Sequence, residues 1–175
     1  MATIPTLTDF TAQEKVLAAK LNANTTQALR FLLDPPKCIV YYTNGTNTTL
    51  ASSNFIDIPM GGELVDNDNM HSNTTNSNRI TINTPGMYLF HGMGNFGNTS
   101  AGNTRILQIR KNDGVQLGYH INSNVGFTQI FGVSVIAPMV AGDWVSLQGW
   151  HNTGASLSMT NGLGNTQFAA HWLSV

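Results

Sequence analysis

Chemistry in this chain would have to start from five histidines, one cysteine and a few acidic residues. His71, His91, His120, His151 and His171 stand singly, with no His-x-His or Glu-x-x-His spacing to bring two imidazoles onto one metal. That pattern argues against a zinc enzyme. Asp143, Ser146 and His151 contain the residue types of a nucleophilic triad, yet five histidines and many serines supply such triples by chance. Asp143 beside Gly142 has a simpler role, bonding backbone N–H groups of a tight turn. Asp66, Asn67, Asp68 and Asn69 could converge oxygens on a hard cation such as calcium, but so polar a run also reads as a solvated loop. Gly86, Gly92, Gly94 and Gly97 do not form a phosphate loop opening a helix, and read as strand and turn geometry. The expectation is a protein without catalytic residues, cofactor or resident metal.

Composition narrows the partners. Only 10% of the 175 residues are charged and the net charge is -1, so there is no basic field to hold nucleic acid. Cys38 is the single cysteine, which rules out an intrachain disulfide and leaves the core to packing. The first residues lack a basic stretch followed by an apolar one, and no run is long enough to span a bilayer; a soluble chain without a secretion signal is expected. The Asn-x-Ser/Thr triplets at Asn24, Asn44, Asn47, Asn73 and Asn98 accordingly read as unmodified.

What must position any site is a set of strands behind one helix. Residues 11–33 lack glycine, open on Thr11-Ala-Gln-Glu14 as a capping box and stop at Asp34-Pro35-Pro36. Within them Leu17, Leu21, Asn24, Ala28 and Phe31 follow the a/d spacing of a short coiled coil, a candidate association stripe unless the helix folds against its own β domain, and Asn24-Thr25-Thr26 could divide the helix in two. From residue 37 onward short apolar runs alternate with Asn, Gly and Thr clusters, and ten strands are expected, at 38–43, 54–58, 80–83, 87–96, 104–111, 115–121, 128–137, 143–151, 155–159 and 166–174. Asn112-Asp113-Gly114 marks a hairpin, Pro85-Gly86 feeds a strand that puts Tyr88 and Phe90 on one face, and 66–79 reads as a solvated loop. The fold class is all-β, with residues 1–36 as a helical attachment segment and 37–175 as the β domain.

Four of these elements, in order, resemble one family. Ile80-Thr-Ile-Asn-Thr-Pro-Gly-Met-Tyr-Leu-Phe90, Leu107-Gln-Ile-Arg-Lys-Asn-Asp-Gly114, Val133 through Gly142-Asp143 to Leu147, and Thr166-Gln-Phe168-Ala-Ala170-His-Trp-Leu are similar to segments of the globular heads of complement first component q, relatives of tumour necrosis factor. Ala170 stands where that family has a small Gly, and Ile80 where it has Phe. The resemblance implies a ten-strand jelly-roll sandwich that assembles as a homotrimer through one of its two sheets. If Val145, Leu147, Phe168, Ala170 and Trp172 point inward, alternation sends Trp144, Trp150, Gln167, His171 and Leu173 outward as candidate trimer contacts, unless a loop of the same chain covers the tryptophans.

A second, looser resemblance lies at the start. Phe10-Thr-Ala-Gln, Ala19-Lys-Leu-Asn22, Ala28-Leu-Arg-Phe-Leu32 and Pro35-Pro36 look like the opening of small tailed-phage virion proteins, in which a helix precedes a trimeric tip or fibre domain. It implies a virion protein made in the host cytoplasm: a minor tail or tail-tip component that meets the host surface, or a capsid decoration or head fibre. Its partners would be itself, other virion proteins through the helix, and a host cell-wall glycan at loops 95–103 and 120–127. The rival from another class is a secreted lectin or signalling ligand.

Overall fold

The computed structural model describes residues 2–12, 14–43, 49–99, 101–123 and 126–175. The sequons at Asn44 and Asn47 and parts of both expected recognition loops lie outside them. Twelve strands follow a helical segment: β1 Lys37–Tyr41, β2 Thr49–Leu50, β3 Ile56–Asp57, β4 Gly62–Asp66, β5 Ile80–Thr81, β6 Gly86–Phe96, β7 Thr104–Lys111, β8 Val115–Ser123, β9 Gln129–Met139, β10 Trp144–His151, β11 Leu157–Ser158 and β12 Gln167–Ser174. One antiparallel sheet runs β4-β1-β12-β6-β9; the other runs β3-β10-β7-β8, with β5 also on β10; β2 and β11 form a small ribbon. Alternating strands bury one side of each sheet between them. Tyr88 and Phe90, both fully buried and stacked at 5.8 Å, anchor that layer with Phe168, Leu107, Ile109, Val145 and Leu147.

Each of the ten expected strands is present, and β2 and β4 are additional. The Pro85-Gly86 turn does what its residue types allow. Gly86 takes a φ of 147°, where a Cβ would collide with the Trp172 indole, and the Pro85 carbonyl accepts that indole's N–H at 3.1 Å. The β7–β8 hairpin differs in detail from expectation. Asn112 and Asp113, not Gly114, hold the positive φ values of 51° and 55°, and the Gly114 N–H closes the turn on the Lys111 carbonyl.

Residues 66–79 contain no strand beyond Asp66, but they are not a loosely solvated loop. Asp68 and Met70 are buried, and the Asp66 carboxylate accepts the N–H groups of Asp68, Met70 and His71. Polar side chains here replace a sheet ladder as the source of order.

The helix begins later than the capping box suggests. Glu14 does bond the Thr11 N–H at 2.9 Å, but helical structure starts at Ala18 and comprises α1 (Ala18–Leu21), a π-helical turn (Asn22–Gln27) and α2 (Ala28–Leu33). The widened turn falls on the Asn24-Thr25-Thr26 step, where the Thr25 hydroxyl bonds the Leu21 carbonyl at 2.6 Å. No helix among the described residues is long and apolar enough to cross a membrane. The segment folds onto the β domain. Phe31 meets Trp172 edge-on at 4.8 Å, Ala2 and Ile4 pack on the core, and the Thr84 hydroxyl donates to the Ala2 carbonyl at 2.9 Å.

Candidate functional site

The expected triad is dispersed. Asp143 immediately precedes β10 and His151 ends it, roughly 25 Å away at the rise of an extended strand. Burial pushes the Asp143 carboxyl up, but Lys111 at 2.6 Å, the Val140 N–H at 2.9 Å and the Asn112 amide at 2.8 Å outweigh it and hold it below the usual carboxylate range. Asp143 therefore locks the turn at Gly142 to the β7–β8 hairpin. His151 is buried with Nε2 on the Leu50 carbonyl and Nδ1 on the Thr153 hydroxyl, and burial keeps it below its ordinary value. Ser146 is fully buried. None of the three reaches another.

The acidic run is likewise committed to structure. Asp66 caps the following loop, Asp68 takes the Ala2 N–H, and Asn67 accepts the Lys37 N–H while its amide ties down Asp34 and the Pro35 carbonyl. No cluster of three or more His, Cys, Asp or Glu suited to a metal occurs among the described residues. Burial raises the Cys38 thiol far above its usual range, so it stays protonated.

The outer faces of the two sheets carry different side chains. On the first sheet, cross-strand register builds three outward rows: Lys37–His171–Leu89–Ile136, Ile39–Ala169–His91–Ser134 and Tyr41–Gln167–Met93–Gly132. Lys37 is the only Lys, Arg, Asp or Glu in these rows. Ile136 and Ile130 on β9 and Leu173 on β12 are 57%, 50% and 43% exposed, although aliphatic side chains of this size are usually buried. On the second sheet, outward side chains are joined to each other. The Gln108 amide donates to Gln148 at 2.7 Å, Gln148 to Asp57 at 3.0 Å, and Asn78 to the other Asp57 oxygen at 3.0 Å. Apolar side chains are exposed on both sheets, Val115, Tyr119 and Ile121 on β8 of the second being as open as those of the first, so the first sheet is set apart by its near-absence of charge in the outward rows and not by exposure alone.

This division separates the five residues expected at a trimer contact. Gln167, His171 and Leu173 lie on β12, on the apolar outer face of the first sheet. Trp144 and Trp150 lie on β10 in the opposite sheet, so one sheet cannot present all five, and that grouping is corrected. The tryptophans also have cover from their own chain: Arg79 sits 3.7 Å over the Trp144 ring, and Phe55 lies 6.3 Å from Trp150. Sequence reading missed Leu89, Ile130 and Ile136 on the same apolar face, although alternation along β6 and β9 carries the signal.

The helix stripe is divided too. Leu17 and Leu21 are exposed, but Asn24 bonds the Thr8 backbone at 2.6 and 3.1 Å and Phe31 is buried against Trp172. Ala28 shares an apolar groove with Ile4, Phe31 and Trp172. The lower half of the stripe docks the helix on its own β domain. The apolar residues it leaves outward are Leu17, Leu21, Leu29, Leu32 and Leu33.

These sheets define a jelly roll of the complement-head and tumour necrosis factor type. Two solved structures share the arrangement. The globular domain of zebrafish complement 1qA protein is 13% identical, with a TM-score of 0.56 over 79% of this chain and 97% of that one. Murine APRIL is 10% identical, with a TM-score of 0.59 over 78% of this chain and 99% of that one. No family model and no curated protein matches the chain.

Proposed function

We propose that the protein is a non-enzymatic virion component that self-associates as a homotrimer through the outer face of its first sheet. The observation that carries the assembly is the outer face of that sheet, where Ile130, Ile136 and Leu173 are exposed and Lys37 is the one charged residue of the three outward rows. An apolar surface of this kind on a polar, weakly charged chain marks a contact. The homotrimer agrees with the jelly-roll type, and the virion setting rests on the likeness of residues 10–36 to the opening of tailed-phage proteins.

In this reading the helix attaches the protein to the particle through Leu17, Leu21, Leu29, Leu32 and Leu33, and the β domain stands outward as a minor tail or tail-tip protein contacting the host surface. Immunogold labelling of phage particles that carry the gene, using antibody against residues 37–175, tests it. Label at the tail tip supports host contact, label over the capsid moves the protein to decoration or head fibre, and unlabelled particles with the protein in the culture medium would establish the secreted-ligand alternative.

A further inference from the structure

The ordered loop that leaves β4 borders an open cavity of about 170 Å3. Its walls are Asn69, Met70, His71, Ser72, Thr75, Asn76, Arg79, Thr81 and Asn83, which include one guanidinium and no carboxylate. The walls are fixed from behind. Asn83 holds the carbonyls of Asp68 and Asn69 at 2.8 and 2.9 Å, the Thr81 N–H bonds the Met70 carbonyl at 2.7 Å, and the His71 ring is pinned by Glu63 and the Ser77 carbonyl. Asn69 and Asn76, with φ of 53° and 52°, turn the backbone at either side.

Several groups in these walls are unspent. The side chains of Asn69, Thr75, Asn76 and Thr81 make no hydrogen bond among the described residues. Arg79 lies flat on Trp144 at 3.7 Å, and its Nε is buried without a partner. The nearest ion-pair oxygen, on Asp113, is 3.7 Å from Nη2, beyond hydrogen-bond length. A guanidinium oriented on an aromatic plate, with a loose ion pair to exposed Asp113 on one side and an unbonded Nε on the other, can take a second anion, and amides with hydroxyls around it suit a polyhydroxylated ring. The volume falls below the roughly 300–1,000 Å3 of drug-sized sites and fits a single ring.

We infer that this cavity binds one acidic sugar residue, its carboxylate or phosphate on Arg79 and its hydroxyls on Asn69, Thr75 and Asn76. The site is on the flank beside β5 and β10, apart from the outer face of the first sheet, and it depends on neither the trimer nor the virion assignment. Because Arg79 covers Trp144, occupancy is read as a change in tryptophan fluorescence. The full-length protein is titrated with galacturonic acid, N-acetylneuraminic acid and glucose 6-phosphate, with galactose and glucose as neutral counterparts and inorganic phosphate as the bare anion.

At least one acidic sugar should bind, with its Kd raised about tenfold or more by Arg79→Gln and raised also by Thr75→Val, which leaves the Trp144 stack in place. NMR line broadening confined to residues 69–83 gives a second readout if Arg79→Gln disturbs the fold. The inference is overturned if no acidic sugar binds, if neutral sugars bind as well as acidic ones, if phosphate alone accounts for the binding, or if both variants bind as the parent does.

Discussion

Replacing Ile136 by glutamate tests the assembly face most directly. Ile136 is 57% exposed in the isolated chain and pairs across strands with Leu89, so the change should cost the protomer fold no more than about 0.5 kcal/mol. In a trimer closed over this face each copy would bury the new carboxyl. Protonating a glutamate of ordinary pKa at pH 7 costs about 3.7 kcal/mol, less than burying the ion, and three copies bring the penalty to about 11 kcal/mol. At 1.4 kcal/mol per decade that weakens assembly by roughly eight orders of magnitude, enough to dissociate a trimer at micromolar concentration. Sedimentation equilibrium should find the parent near three times 18.9 kDa and Ile136→Glu near 18.9 kDa, with the same far-ultraviolet circular dichroism. Ile136→Gln, which adds polarity without charge, should fall between them. A parent that stays monomeric, or an Ile136→Glu protein that keeps the trimer mass, refutes the reasoning.

Other outcomes follow from single contacts. Trp144→Ala should leave the oligomer mass unchanged, because Arg79 and not a neighbouring protomer covers the ring, while losing about 0.5–1 kcal/mol from the cation–π contact in addition to the ring's packing; loss of the trimer would return Trp144 to the interface. Phe31→Ala should cost about 3 kcal/mol and free α1, the π turn and α2 for proteolysis, since a helix this short is marginal once undocked; unchanged protection of residues 18–33 would show that Phe31 does not hold it. The depressed His151 pKa sets a pH dependence: the unfolded chain gains a proton near pH 6.5 that the folded chain takes up only at lower pH, so stability is full above that value and declines below it. Urea midpoints at about pH 7.5 and pH 5.5 should differ less for His151→Gln than for the parent, and equal differences would remove His151 as a contributor.

Much of the β domain was legible because turn chemistry is local. Gly86, Gly142-Asp143 and the Asn112-Asp113 pair each punctuate a strand, and alternation then sorts Val145, Leu147, Phe168, Ala170 and Trp172 to the inside, where all five are found. β4 escaped notice because Gly61-Gly62 and Glu63 dilute its alternation, and β2 because two residues carry no period. The polar loop misled for a different reason: Asp68 is buried by contacts with residue 2, a partner that no short-range pattern could supply.

The candidate interface failed at one definable step. Period two says whether a side chain points in or out of a sandwich, but each sandwich has two outsides. Trp144 and His171 share a phase and occupy opposite walls, because sheet membership is set by strand order, which alternation does not encode. The helix showed the same ambiguity. The a/d spacing from Leu17 to Phe31 marks an apolar stripe, and whether it meets a second helix or Trp172 depends on the tertiary fold.

Residues 2–5, Phe31, Trp172 and Val175 gather at one pole of the sandwich, while Asn103, Asn152 and the turn at Gly162 and Gly164 occupy the other. Anything grafted into that distant turn would project away from whatever grips the helix, and three protomers side by side would hold three grafts pointing the same way. If the protein attaches through its helix as proposed, its outer tip could be rewritten without touching the means of attachment.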